Sequence, residues 1–144
     1  MNTFQFVGRL HPLVLHFPIA LLLLAAAGEA LRCFRSDPRL ARLTVLLLAL
    51  GAIGALAATG TGWVFANESH PSPDLRSTLL WHRWLGVGVA GLSVLAWLAA
   101  HRWADDPRRR FRAIPRLLTW LTAGLLAATA HLGALLIWGA DYFS

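Results

Sequence analysis

The chain has 144 residues, 57% of them hydrophobic and only 14% charged, with a formal charge of +6. That length suits one compact domain, but the composition is too apolar for an ordinary water-soluble one and marks an integral membrane protein. A lone cysteine, Cys33, excludes a disulfide framework and any CxxCH attachment of covalent c-type haem.

Four apolar stretches follow one another: residues 12–31, 43–65, 80–100 and 117–139. Each is long enough for a hydrocarbon core of about 30 Å, which takes about 20 helical residues to cross. Lipid cannot satisfy backbone N–H and C=O groups, so each stretch must bond internally. The expected fold is therefore an all-α integral membrane protein, an antiparallel four-helix transmembrane bundle forming a single domain over residues 1–144.

The first span opens on "LHPLVLHFPIALL", with two histidines and two prolines set at the head of an apolar run. Pro12 suits the first turn of a helix and makes His11 its flanking residue. His16 lies a turn further in, and Pro18 frees the carbonyl of Val14 beside it. On an ideal helix His11 and His16 are about 140° apart, so they do not address one metal unless the prolines redirect the chain. Arg9, the apolar run and "AAAGEA" have the outline of a signal peptide, but the long n-region with both histidines and the embedded proline argue against cleavage.

Basic residues orient the bundle, because Lys and Arg in short loops stay cytoplasmic. Ten of the arginines bracket the first and third connectors ("RSDPR" and "DDPRRRFR") and only Arg9, Arg76 and Arg83 lie on the other side. Both termini and the "NESHPSPDLRST" loop are thus expected outside, which for a bacterial inner membrane means the periplasm. The positive charge is an orientation signal with attraction to anionic lipid as a by-product, and no nucleic-acid patch is read from it. Trp63, Trp81, Trp84, Trp103, Trp138 and Tyr142 fall near span ends as interfacial anchors.

Small residues crowd the second, third and fourth spans, and their ordinary meaning is close helix approach. His82 opens the third span and His131 lies about 12 Å inside the fourth, with Gly124, Ala127 and Ala128 on one helical face beside it. His11, His16, His82 and His131 all fall in the outer half of the bundle, with no carboxylate near them. Such a cluster is a poor proton relay and a good metal site. His70 in the loop and His101 at the inner boundary read as solvated rings.

With no methionine besides Met1, haem ligation would be bis-histidine, by His16 with His131 deep in the membrane or His11 with His82 near the surface. Arg9, Arg76 and Arg83 are placed to pair with haem propionates, lipid phosphate being their plain alternative. Copper or zinc held by three imidazoles is the competing chemistry.

"LHPLVLHFPIALL", "HRWLG" at His82 and "HLGALLIWG" at His131 resemble the motifs of a bacterial membrane family catalogued as domain of unknown function 2231, over essentially the whole chain. Ala134 and Trp138 stand where that family usually has Gly and Tyr. The resemblance implies a four-span bundle with functional histidines at His11, His16, His82 and His131. Relatives fused or adjacent to c-type cytochrome domains favour a redox role. The leading expectation is an electron-transfer subunit that binds b-type haem through His16 and His131, with His11 and His82 as supporting partners or an outer ligand pair. Its partners would be a periplasmic c-type cytochrome or quinol. The alternatives are a copper- or zinc-binding membrane protein, or an assembly or anchoring subunit of a larger complex or homo-oligomer. No nucleophile, base and phosphate loop come together to suggest stand-alone catalysis.

Overall fold

The computed structural model describes residues 3–69, 71–103 and 109–139, apart from the side chains of Phe4, Arg109, Arg110 and Phe111. His70, the connector ending at Arg108 and Tyr142 lie outside the described residues.

Among the described residues six α-helices follow in order: α1 (Thr3–Arg9), α2 (His11–Val14), α3 (His16–Leu31), α4 (Pro38–Glu68), α5 (Arg76–Trp103) and α6 (Arg109–Trp138). Leu15, between α2 and α3, keeps helical angles of φ −64° and ψ −26°, so the two run on as one span from His11 to Leu31. The break falls where Pro18 denies Val14 its donor. Asp37 caps α4 by accepting the Arg39 amide at 2.8 Å, and Pro38 sets its first turn. A short 3-10 turn, Pro73–Leu75, leads into α5. In α6, Pro115 is fully buried and its carbonyl accepts the Thr119 hydroxyl at 2.8 Å.

The four spans were expected at residues 12–31, 43–65, 80–100 and 117–139, and four helices long and apolar enough to cross a membrane occupy those positions. The later three run past the apolar stretches at their ends: α4 alone, at 31 residues, is about 46 Å long. Sequence hydropathy marks where lipid begins, whereas backbone hydrogen bonding carries on into the headgroup layer. One element had no sequence signal of its own, the short α1, which packs across the end of α4. Gly8 makes that approach possible, since a Cβ there would lie 3.1 Å from the Phe65 backbone.

Neighbouring helices pack in sequence, α3 on α4, α4 on α5 and α5 on α6, and α3 with α6 closes the ring. The α3 span and α5 therefore stand on one diagonal of the bundle and α4 and α6 on the other. Between them lies a core of small and medium side chains, with Leu22, Leu48, Val89 and Leu126 set among Ala25, Ala55, Ala90 and Ala96. A Cβ on Gly28 would be 2.7 Å from Thr44 Oγ1 and one on Gly51 2.7 Å from the Leu22 side chain, so α3 and α4 each seat a partner side chain directly against their backbone. Close packing is the role expected of the small residues, but Gly86, Gly91 and Gly124 face open space instead. Long apolar side chains such as Leu23, Leu46, Ile53, Leu95 and Leu117 point outward, as a lipid-facing surface requires.

Buried hydroxyls return their protons to their own helices. Thr44, Ser93, Thr122 and Thr129 donate to carbonyls three or four residues back at 2.8–2.9 Å. No donor is then left unpaired in the bundle interior at those positions.

At the end where α3 finishes, Glu29 is 1% exposed, with Arg32 on one carboxylate oxygen and Arg116 Nε 3.5 Å from the other. Glu29 thus ties α3 to α6 as well as pairing within its own helix end. We call this the arginine end, and the opposite one, with His11 and His82, the histidine end.

Candidate functional site

His11 is the first residue of α2, with Leu10 as its N-cap and Pro12 in its first turn, rather than a residue flanking the helix. His11 leans on α4, with Nδ1 3.3 Å from Thr61 Oγ1, and stacks on Phe65 at 6.4 Å between ring centroids. The floor beneath the ring is Gly62, where a Cβ would come within 2.7 Å of the imidazole. Only glycine fits there without moving the histidine.

His82, on the diagonally opposed α5, turns to α6. Its Nδ1 is 2.9 Å from the Thr129 carbonyl, and a Cβ on Gly133 would be 3.0 Å from its ring. The two imidazoles meet across the bundle axis, 6.5 Å between centroids and 76° between planes. Each is therefore seated on one of the remaining helices by the same device, a hydrogen-bond acceptor for Nδ1 and a glycine beneath the ring.

Those acceptors choose the tautomer. A carbonyl can only accept, so His82 carries its proton on Nδ1 when neutral. The Thr61 hydroxyl already has the Ala57 and Ala58 carbonyls at 3.0 and 3.1 Å to donate to, which leaves its lone pairs for an N–H of His11. Both Nε2 atoms are thereby left with a free lone pair. This is how metal-binding imidazoles are oriented, by an acceptor behind the non-ligating nitrogen.

Separation sets what the pair could hold. Two imidazole nitrogens on one ion at about 2.0–2.1 Å put their centroids roughly 5 Å apart at a tetrahedral angle and roughly 6 Å apart when opposed. The 6.5 Å found here is close to the larger value, and with 76° between the ring planes it is equally the spacing of an edge-to-face contact between two rings. His11 and His82 are the residues that would hold a haem iron or a copper ion, either of which would supply one-electron chemistry.

The other two candidate ligands stand apart from this pair. His16 is exposed and its Nδ1 lies 2.6 Å from the Pro12 carbonyl. His131 is exposed as well, because it is two residues from both Thr129 and Gly133 and so about 200° around α6 from the face that meets His82. Among the described residues no three His, Cys, Asp or Glu side chains converge. His101 is exposed at the arginine end, beside Trp97 at 6.4 Å.

Of the three arginines singled out, Arg9 is exposed at the end of α1 and Arg76 at the start of α5, whereas Arg83 reaches to α4. Its Cζ lies 4.0 Å over the Trp63 ring and its Nη2 donates to Asn67 Oδ1 at 3.1 Å. Trp84 meets Trp63 edge to face at 5.7 Å, so this pair does more than anchor in the headgroup layer. Elsewhere, an open apolar groove of about 410 Å³ between α5 and α6 is lined by Leu92, Trp120 and Gly124 among others, without a ligating side chain.

Thr61, Gly62, Thr129 and Gly133 escaped the sequence reading. Their signal was present: Thr129 and Gly133 are four apart on one helical face, and Thr61 and Gly62 adjoin in "GTG". Composition alone presents these as packing residues, and nothing in one chain's sequence says which histidine they support.

A four-span helical membrane protein with an inward-facing, tautomer-fixed histidine pair at one end is the class this geometry defines. The chain belongs to the family described as predicted membrane protein (DUF2231), whose profile matches residues 9–141 and thus takes in all four spans and both histidine-bearing seats. No curated protein and no solved structure matches it.

Proposed function

We propose that the protein is a small electron-transfer subunit of a bacterial inner membrane, with both termini periplasmic, that holds one b-type haem between His11 and His82. The observation behind this reading is the pair of imidazoles 6.5 Å apart, one with Nδ1 on Thr61 of α4 and the other with Nδ1 on Thr129 of α6, which leaves Nε2 of each as the nitrogen available to a metal. Bound there, the haem would supply one-electron chemistry.

The chain's own residues do the positioning. Thr61 and Thr129 orient the rings, Gly62 and Gly133 let them lie against helix backbones, and Phe65 shields His11. Arg76 is the cation offered to the haem carboxylates, while Arg83 is held against α4. His16 and His131, exposed at the same half of the bundle, are moved from ligands to the surface where a c-type cytochrome or quinol would approach.

The test is a reduced-minus-oxidised absorption spectrum of detergent-purified protein from haem-replete cells, with elemental analysis of the same sample. Sharp low-spin b-type bands are expected, abolished by His11→Ala and by His82→Ala and retained in His131→Ala. A colourless protein without iron sinks the reading. A second one has an observation of its own: two imidazoles 6.5 Å apart with no third donor among the described residues also suit a single copper ion, and stoichiometric copper lost in both variants would establish it.

A further inference from the structure

We propose that Arg83 is an oxyanion-binding residue at the seam of α4 and α5, taking a phosphate oxygen at the membrane surface. A guanidinium has five N–H donors in a fixed fork. Arg83 has its plane clamped over Trp63 at 4.0 Å and its Nη2 committed to Asn67 Oδ1 at 3.1 Å. Its Nε is buried and has no hydrogen-bond partner among the described residues. Covered by protein atoms that offer no acceptor, this donor of a charged group is costly as placed, and a swing of the side chain toward the seam brings it an acceptor that the protein does not itself provide.

The surroundings say what kind of acceptor. The described ion pairs all involve Glu29 at the far end of the bundle, and the acids nearest in sequence on the histidine side, Glu68 and Asp74, are exposed. Trp63 and Trp84 pack edge to face beside the guanidinium, a pairing at home in the headgroup layer. At that depth the abundant acceptor with matching charge is phosphate, which arginine binds better than lysine because its fork is planar and preorganised. Trp63 and Asn67 are four apart on α4, so one helical face aims the donor. A lipid phosphodiester and free inorganic phosphate share this chemistry. The assignment does not depend on the histidine pair holding a metal.

Purified protein in a phosphate-free glycoside detergent is titrated with short-chain phosphatidylglycerol, with diacylglycerol of the same chains, and with inorganic phosphate, while tryptophan fluorescence and the thermal midpoint are followed. Phosphatidylglycerol is expected to shift both readouts and diacylglycerol neither. A response to inorganic phosphate of equal strength would make the free anion the ligand. Arg83→Gln and Arg83→Lys should each weaken the response about tenfold, the latter because lysine keeps the charge but loses the fork. Should the arginine variants fail to fold, Asn67→Asp keeps the stacked guanidinium and offers it an internal carboxylate, which should abolish the response. Full response in Arg83→Lys and Asn67→Asp, or equal response to diacylglycerol, overturns the proposal. A flat phosphate response together with lost haem colour in Arg83→Gln would also overturn it, in favour of the cofactor's own carboxylate.

Discussion

Gly133 and Gly62 are the residues on which the histidine pair is most sensitive to a single methyl group. A Cβ at Gly133 would stand 3.0 Å from the His82 ring, tighter than a side chain normally tolerates, and the ring cannot retreat without losing the 2.9 Å bond to the Thr129 carbonyl. Gly133→Ala is therefore expected to displace His82 and to reduce cofactor or metal retention at least fivefold, a change of about 1 kcal/mol in affinity. Gly124→Ala, where a Cβ meets open space, should leave retention unaltered. Metal or haem content per protein in the two variants checks this, and equal content would show that the seat is looser than its geometry. The four histidines themselves were legible in the chain as costly residues in an apolar context. Which of them face each other was not, because that depends on the rotation of each helix, and a two-residue offset such as that between Thr129 and His131 separates inward from outward.

On the scale of helices, the pairing of α3 with α6 rests on Glu29. Its carboxylate is 1% exposed and is shared by Arg32 on its own helix and Arg116 on α6. Glu29→Gln keeps the shape but removes the charge, leaving both arginines with a weaker acceptor. A loss of about 1–3 kcal/mol is expected, the range for a buried hydrogen bond to a charged group, read as a lowered thermal or denaturant midpoint in detergent. Arg116→Gln should cost less, because Arg116 is 38% exposed and bonds at 3.5 Å. An equal cost for the two would place the tie elsewhere. Helix existence was plain in the apolar runs, whereas helix ends and the short α1 were not. A seven-residue helix has little intrinsic stability, and this one persists because Gly8 lets it lie against Phe65 of α4.

For the whole molecule, composition marks a membrane protein, and four spans over a matched family region of residues 9–141 agree with it. The arginine excess at the Glu29 end is what supports the proposed orientation in the bilayer. Alkaline phosphatase fused after Ser144 is expected to be active and a fluorescent reporter at the same point dark, since the first folds only outside the cytoplasm. The reverse pattern would invert the histidine end to the cytoplasmic face and remove a periplasmic cytochrome from the set of partners. By itself the amino-acid sequence determined the membrane class, the number of spans and the half of the bundle in which the histidines lie. These depend on composition and on distance along a helix, and both can be counted in one dimension. Only the tertiary structure decided that His11 meets His82 while His16 and His131 face outward, that two threonines and two glycines seat the pair, and that Arg83 is drawn to Trp63. Those outcomes depend on the azimuth at which four helices pack, which small-residue contacts such as Gly28 on Thr44 and Gly51 on Leu22 settle and which no periodicity within a single helix contains.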